Sequence, residues 1–287
     1  MALINVTLPD GTVNEYAAGV TCAEVITDAL GRKHGCLAAR LDGVECDLSR
    51  VLDGDCSIEG ILTDSDDGIH ILRHSASHLL AQAVMALYPD AKPTIGPAID
   101  RGFYYDFAME QIVESDLKAI QKKMQELARK NFTVQRVELT DEELQDHFAD
   151  NPYKLEIINE KIEDGGGSTI YKQDDWYDLC LGPHVPNTSR LMNVKLTSIS
   201  SAYWRGDQDR EQLVRIYGIV EANKEALRAT LDRLEQAKKR DHRKLGAEMD
   251  LFTFSELVGP GLPLWTPRGT LLRTLLDNFV WQLREER

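Results

Sequence analysis

The sequence predicts an α+β protein of more than one domain, and three observations carry that expectation. Alternating short strands and tight turns crowd the N-terminal segment around one capped helix. Longer amphipathic helices then precede a run of strands, a grouping that favours an antiparallel sheet over regular parallel crossovers. The chain of 287 residues, 43% hydrophobic and 28% charged, is long and apolar enough for two or three domains with real cores.

Residues 4–9 alternate as a strand and run into the turn Pro9-Asp10-Gly11, and Val13 to Tyr16 returns as its hairpin partner. Thr21 caps a helix of about ten residues, with Glu24 three positions on completing a capping box and Gly31 ending it. Strands follow at Cys36–Leu41, Val44–Asp47 and Ser57–Leu62. The order ββαβ with a late strand fits a ubiquitin-like β-grasp, and the segment from Asp64 to Gly68 reads as a polar linker.

A helix is expected from about Ile69 to Leu87, closed by Tyr88-Pro89-Asp90. Ile95 to Asp106 reads as strand, loop, strand, and Ser115 to Lys130 as a charged amphipathic helix. Phe132–Leu139 is a strand; Thr140 with Glu143 caps the next helix; Pro152–Lys161 is helical. Gly165-Gly166-Gly167 is a loop whose backbone could cradle phosphate, although no Gly-Lys-Ser/Thr follows it. Strands are expected around Ile170–Lys172, Val194–Ile199 and Gln212–Gly218. Leu227, Leu231, Leu234 and Ala237 predict one long connecting helix from Glu221 to Gly246. A tight loop from Gly259 to Gly269 leads to an amphipathic helix over Thr270–Arg287, where the chain is expected to stop within an uncompleted domain.

The net charge of −14 argues against a surface that coats nucleic acid everywhere. Its distribution is uneven: residues 1–68 carry 13 acids and 4 bases, whereas residues 221–247 carry 5 acids and 8 bases, the latter focused on 238–244. That stretch can track phosphates or simply be a solvated helix face. No apolar run reaches the roughly 18 residues of a membrane span, and the N-terminus has no secretory signal pattern. Five cysteines without a Cys-x₂-Cys pair suit free thiols in a reducing cytoplasm and exclude a ribbon or finger zinc site.

Two spacings bear the chemistry. His74 and His78 stand four apart on a helical stretch and therefore share a face, while Cys180 and His184 flank a Gly-Pro turn about a hundred residues later. Brought together, the four could hold a tetrahedral zinc or move protons. Their bland alternative is packed or capping histidines. His70 falls a further turn early, toward the surface. Asp178, two residues before Cys180, could orient an imidazole or hold a water. Lys154, at a helix start, reads from the residues alone as a solvated lysine.

Several longer strings then agree in order: His74-Ser-Ala-Ser-His78-Leu-Leu-Ala-Gln-Ala, Ile95-Gly-Pro-Ala-Ile-Asp-Arg-Gly-Phe-Tyr-Tyr-Asp106, Tyr177-Asp-Leu-Cys-Leu-Gly-Pro-His-Val-Pro, Ser201-Ala-Tyr-Trp-Arg-Gly-Asp and Arg215-Ile-Tyr-Gly. Together they resemble the N-terminal part of bacterial threonyl-tRNA synthetases across essentially the whole chain. The resemblance implies a TGS domain over 1–65, an editing domain over 66–223, a connecting helix over 224–246 and the beginning of a class II catalytic domain over 247–287. It implies hydrolysis of mischarged Ser-tRNA(Thr), with His74, Lys154 and Asp178 as catalytic residues and His78, Cys180, His184, Tyr105 and Gly96 lining the pocket. Lys238, Lys239, Arg240 and Arg243 would contact tRNA(Thr). It implies no metal or other cofactor in this segment. ATP, magnesium and zinc would belong to the remainder of the parent, a cytoplasmic homodimer paired through its catalytic domain. Two rivals stay open: a zinc hydrolase like the alanyl-tRNA synthetase editing domain, with the same His-x₃-His and Cys-x₃-His pattern, and a non-catalytic tRNA-binding regulatory module.

Overall fold

A computed structural model describes residues 2–164, 169–259 and 261–286. The Gly165-Gly166-Gly167 cradle lies outside the described residues. The chain divides into two compact units, Met1–Leu227 and Arg228–Arg287. The architecture is mixed α and β with predominantly antiparallel sheets.

In the first unit, the N-terminal sheet runs in the order Val13–Ala17, Leu3–Thr7, Cys56–Leu62, Cys36–Leu41, Val44–Asp47. Its one parallel pair joins the first and late strands. Alternation puts Ile4 and Val6 inward while their neighbours stay out. Helix α1 (Cys22–Leu30) begins at Thr21, whose hydroxyl accepts from Glu24 N–H while the Glu24 carboxylate accepts from Thr21 N–H. Val25 and Ile26 of α1 join Ile4, Val6 and Ile58 in the core, each large side chain contributing about 1.5–3 kcal/mol by burial. A short ladder, Val20–Thr21 with Val51–Leu52, went unread in the sequence.

Helix α2 (Asp66–Leu87) starts three residues earlier than expected. The supposed linker supplies its start: Ser65 accepts from Gly68 N–H, and Asp66 and Asp67 occupy the first turn, where carboxylates suit the helix dipole. From Ser75 to Val84 α2 is buried on every side, as a central helix must be. It packs on a second sheet ordered Val194–Tyr203, Gln212–Val220, Gly102–Ala108, Lys92–Pro93, and on helix α3 (Leu117–Arg129). The buried Gln121 amide spans α3 and this sheet, donating to Val194 O and accepting from Leu196 N–H.

A third sheet, Val134–Glu138, Thr169–Gln173, Trp176–Leu179, carries helices α4 (Asp141–His147) and α5 (Pro152–Glu163). Leu144, Phe148, Ile158, Ile170 and Leu179 form their shared core. The strand Trp176–Leu179 is the element that delivers Asp178 and leads into Cys180.

The expected connecting helix is broken in two. Helix α6 (Lys224–Lys239) ends, and helix α7 (His242–Glu248) starts afresh. Asp241 accepts from Arg243 N–H, so its capping preference overrides a periodicity that could have continued. Helix α8 (Pro267–Glu285) starts at the Thr266 cap with Pro267 in its first turn, again slightly before the expected Thr270.

Candidate functional site

α2 holds His74 and His78 with ring centroids 5.4 Å apart. The loop after Trp176–Leu179 brings Cys180 and His184 against them: Cys180 Sγ lies 3.2 Å from His74 Nε2 and 3.2 Å from His184 Nε2. One donor atom from each of the four residues lies within 4.8 Å of the others. Ser75, on the same helix, bonds His184 Nδ1 at 3.0 Å and accepts from Val185 N–H. Ser77 donates to the carbonyls of His74 and Gly96. His70 is exposed, outside the cluster.

Beside this cluster lies a buried ion pair. Lys154 is only 3% exposed and Asp178 1%, with Nζ and Oδ1 2.5 Å apart. The residue-only reading of Lys154 as solvated is therefore corrected. Lys154 occupies the first turn of α5, where the dipole disfavours a cation, and Asp178 supplies the compensating charge. Tyr105 donates to Asp178 Oδ2 at 2.5 Å, Lys154 donates to the Tyr105 hydroxyl at 3.1 Å, and Leu179 N–H also reaches the carboxylate. Gly96 packs on the Tyr105 ring so closely that a Cβ would stand 2.1 Å from it, so position 96 admits no side chain without displacing the tyrosine. All eight residues expected at the pocket thus meet in one neighbourhood.

Burial sets their protonation. It lowers His74 to about 4 and His78 to about 3, and pushes His184 well below its ordinary value. Burial raises the Cys180 thiol to about 12 and holds Tyr105 well above its usual range. For Asp178, burial acts upward, but Lys154, His78 and the hydrogen bonds prevail and leave the carboxyl below its ordinary value. At neutral pH the site therefore presents three neutral imidazoles, a neutral thiol and a carboxylate facing Lys154. The 3.8 Å approach of His78 Nε2 to Asp178 is then not an ion pair.

His78 Nδ1 is buried without a hydrogen-bond partner. Such an orphaned nitrogen, with two further imidazoles and a thiol at ligand-like separations, fits a tetrahedral ion such as zinc.

The four basic residues expected to meet tRNA are all exposed. Lys238 and Lys239 close α6, while Arg240 and Arg243 fall at and beyond the break, so the stretch is not one continuous helix face. Lys239 pairs with Glu235 and Arg243 with Asp241.

Sequence reasoning missed Ser75 and Ser77 as supports, although both lie within the histidine motif. It also missed Asp47, whose carboxylate accepts from His184 N–H at 2.9 Å and from the Tyr171 hydroxyl at 2.6 Å. No local signal marks Asp47, since its partners lie more than a hundred residues away. A cavity of about 550 Å³ is lined by Asp47, Arg50, Arg136, Tyr171 and Pro183 among others, and by none of the four histidine–cysteine donors.

Residues 168–217 match the family model described as threonyl and alanyl tRNA synthetase second additional domain. Over 283 residues the chain is 46% identical to the threonine–tRNA ligases of Streptococcus thermophilus and Streptococcus suis, and 45% identical to that of Streptococcus pneumoniae. Each comparison covers 97% of this chain and 43% of the relative, so the chain spans less than half the length of these curated relatives. Among the described residues no helix is long and apolar enough to cross a membrane.

Proposed function

We propose that this chain, a homologue of threonine–tRNA ligases along 97% of its length, carries an editing activity that hydrolyses Ser-tRNA(Thr). The observation that supports this best is the buried Lys154–Asp178 pair beside His74, with Asp178 inside residues 168–217, which match a domain of threonyl and alanyl synthetases. Serine lacks one methyl of threonine, and a methyl supplies only about 1–3 kcal/mol of discrimination, so a synthetic site benefits from a second, hydrolytic one.

In this reading His74, neutral at physiological pH, accepts a proton from the attacking water. Lys154, held by Asp178, stabilises the oxyanion that forms on the ester carbonyl. The carbon–oxygen bond to the ribose then breaks, and the ribose oxygen takes the proton. Tyr105 and Gly96 hold the shape of the site around Asp178, and His78, Cys180 and His184 line it beside His74. Cys180 is no nucleophile here, because burial keeps its thiol protonated. The test is single-turnover release of serine from Ser-tRNA(Thr), compared with threonine from Thr-tRNA(Thr). Faster seryl hydrolysis is expected; no hydrolysis of either would refute the reading.

The same reading assigns residues 1–65 to a TGS-type β-grasp, 66–223 to the editing domain, 224–246 to a connecting segment and 247–287 to the start of a class II catalytic domain. It takes tRNA(Thr) as partner, the exposed bases at 238–243 as its contacts, the cytoplasm as the compartment, and a homodimeric parent using ATP, magnesium and zinc elsewhere.

A second reading is favoured by the four clustered donors and the orphaned His78 nitrogen. His74, His78, Cys180 and His184 would hold a zinc ion, which supplies Lewis-acid activation of water. Metal analysis with chelation separates the two. The preferred reading expects deacylation to survive metal removal; stoichiometric zinc whose loss abolishes activity favours the second.

A further inference from the structure

We propose that Asp47, at the edge of the N-terminal sheet, is a positioning residue for the His184 imidazole, so that this sheet helps set the geometry of the hydrolytic site; the inference rests on the deacylase reading above. The strand Val44–Asp47 ends with a carboxylate that reaches across to two elements of the site. One oxygen accepts from His184 N–H at 2.9 Å, and the other accepts from the Tyr171 hydroxyl at 2.6 Å. The Tyr171 ring in turn packs on the His184 ring, with centroids 4.4 Å apart and an interplanar angle of 60°.

His184 is thus held in three ways: its backbone by Asp47, its ring face by Tyr171, and its Nδ1 by Ser75. One carboxylate governs the first two. Gly182 makes the arrangement possible. A Cβ there would stand 1.8 Å from the Tyr171 hydroxyl, and its φ of +75° disfavours any other residue. Tyr171 and His184 are 1% and 2% exposed, so without Asp47 a hydroxyl and an amide lose their partner where water is scarce. Tyr171 and Asp47 both line the cavity of about 550 Å³, the space next to the ring that their hydrogen bond fixes.

The test uses the full chain with Asp47→Ala, Asp47→Asn, Tyr171→Phe and, as a control on the exposed cavity rim, Asp53→Ala. Two readouts are taken: steady-state deacylation of Ser-tRNA(Thr), and the ¹⁵N imidazole resonances of His184, assigned through His184→Gln. Loss of a side chain that orients a metal-ligating histidine typically costs about 10–100-fold. His184 stacks on His74, the proton acceptor, with ring centroids 4.4 Å apart, so Asp47→Ala should lower kcat about ten-fold, with KM held within about two-fold. The His184 ring signals should shift or broaden while those of His147 stay put. Asn keeps a carbonyl acceptor for His184 N–H and an amide donor for Tyr171, and should restore kcat to within about three-fold of the parent. Tyr171→Phe retains the ring and should fall between. Asp53→Ala should match the parent. A folded Asp47→Ala with parental kcat and parental His184 signals overturns the proposal, even if its melting temperature falls. Should Asp47→Ala not fold, parental kcat and signals in Tyr171→Phe overturn it equally. A parent chain that hydrolyses no seryl ester defeats the deacylase reading instead, and the His184 resonances alone then decide whether Asp47 positions the ring.

Discussion

The histidine–cysteine site and the basic stretch at 238–243 are both rich in polar chemistry, but the fold treats their charges in opposite ways. Lys154 and Asp178 are stripped of water and survive only as a pair with further hydrogen bonds. The basic side chains stay in solvent, and Lys239 and Arg243 lean on acids of their own helices. Buried charges are interdependent: removing one strands the other at a cost of about 3–5 kcal/mol. Exposed pairs are worth about 0–1 kcal/mol and are screened by salt. The first region therefore joins function to stability, and the second can lose its charges while the fold stays intact.

The largest expected effect lies in the buried pair. Lys154→Met should reduce deacylation by at least about a hundred-fold, the scale of losing a positioned proton-handling or charge-stabilising group. It should also cost about 3–5 kcal/mol in urea unfolding. Adding Asp178→Leu should recover stability and not activity, because a well-packed apolar pair tolerates burial. Recovery of both would mean that the ion pair is architecture and the chemistry lies elsewhere.

Cys180 sharpens the comparison within the site. Its thiol is raised to about 12 by burial, so a thiolate nucleophile is disfavoured. Cys180→Ser should keep more than about a tenth of parental hydrolysis, well above Lys154→Met, since it alters shape and not the proton path. Acid quench and mass spectrometry would decide: a seryl thioester on Cys180 would reverse the assignment.

At the basic stretch, replacing Lys238, Lys239, Arg240 and Arg243 by Ser should weaken tRNA binding and shallow its salt dependence by at most about one log–log unit per lost phosphate contact. Unfolding should move by less than about 0.5 kcal/mol per position. Filter binding across a salt series measures the first, and a denaturant melt the second. Unchanged affinity and slope would reduce the stretch to a solvated surface.

The smallest effect lies between these extremes, at half-exposed Glu156. Its hydrogen bonds to Arg210 lower its pKa from 4.5 to about 2; burial opposes them, and Trp204 and Arg205 add to the lowering. A depressed carboxyl stabilises the fold above its unfolded pKa, and that contribution fades as pH falls from about 4.5 toward 2. Glu156→Gln should flatten this acid limb by well under about 1 kcal/mol in pH-dependent melts, given solvent screening.

Local chemistry was legible wherever neighbours in sequence are neighbours in space. The Thr21–Glu24 and Thr140–Glu143 capping boxes appear as read, because each closes within one helical turn. The i, i+4 spacing of His74 and His78 placed both rings together for the same reason. Local reading failed where two local rules competed. Asp241 could continue a helix or cap a new one, and it caps. Ser65 to Gly68 could be a linker or a helix start, and it starts the helix.

The sequence by itself determined the α+β character, most element positions and, through its ordered motifs, the residues that gather at the site. Only the tertiary structure decided the state of those residues. Lys154 has no local reason to be buried; it becomes so because Asp178, on a strand of the sheet against which its helix packs, neutralises it. The low basicity of the histidines and the protonated thiol follow from desolvation, a property of what surrounds a group in space. Asp47 joins the site over 137 residues of chain, with nothing in its own neighbourhood to announce it. Burial and long-range hydrogen bonding depend on which surfaces meet when the chain collapses, and no window of sequence contains that information.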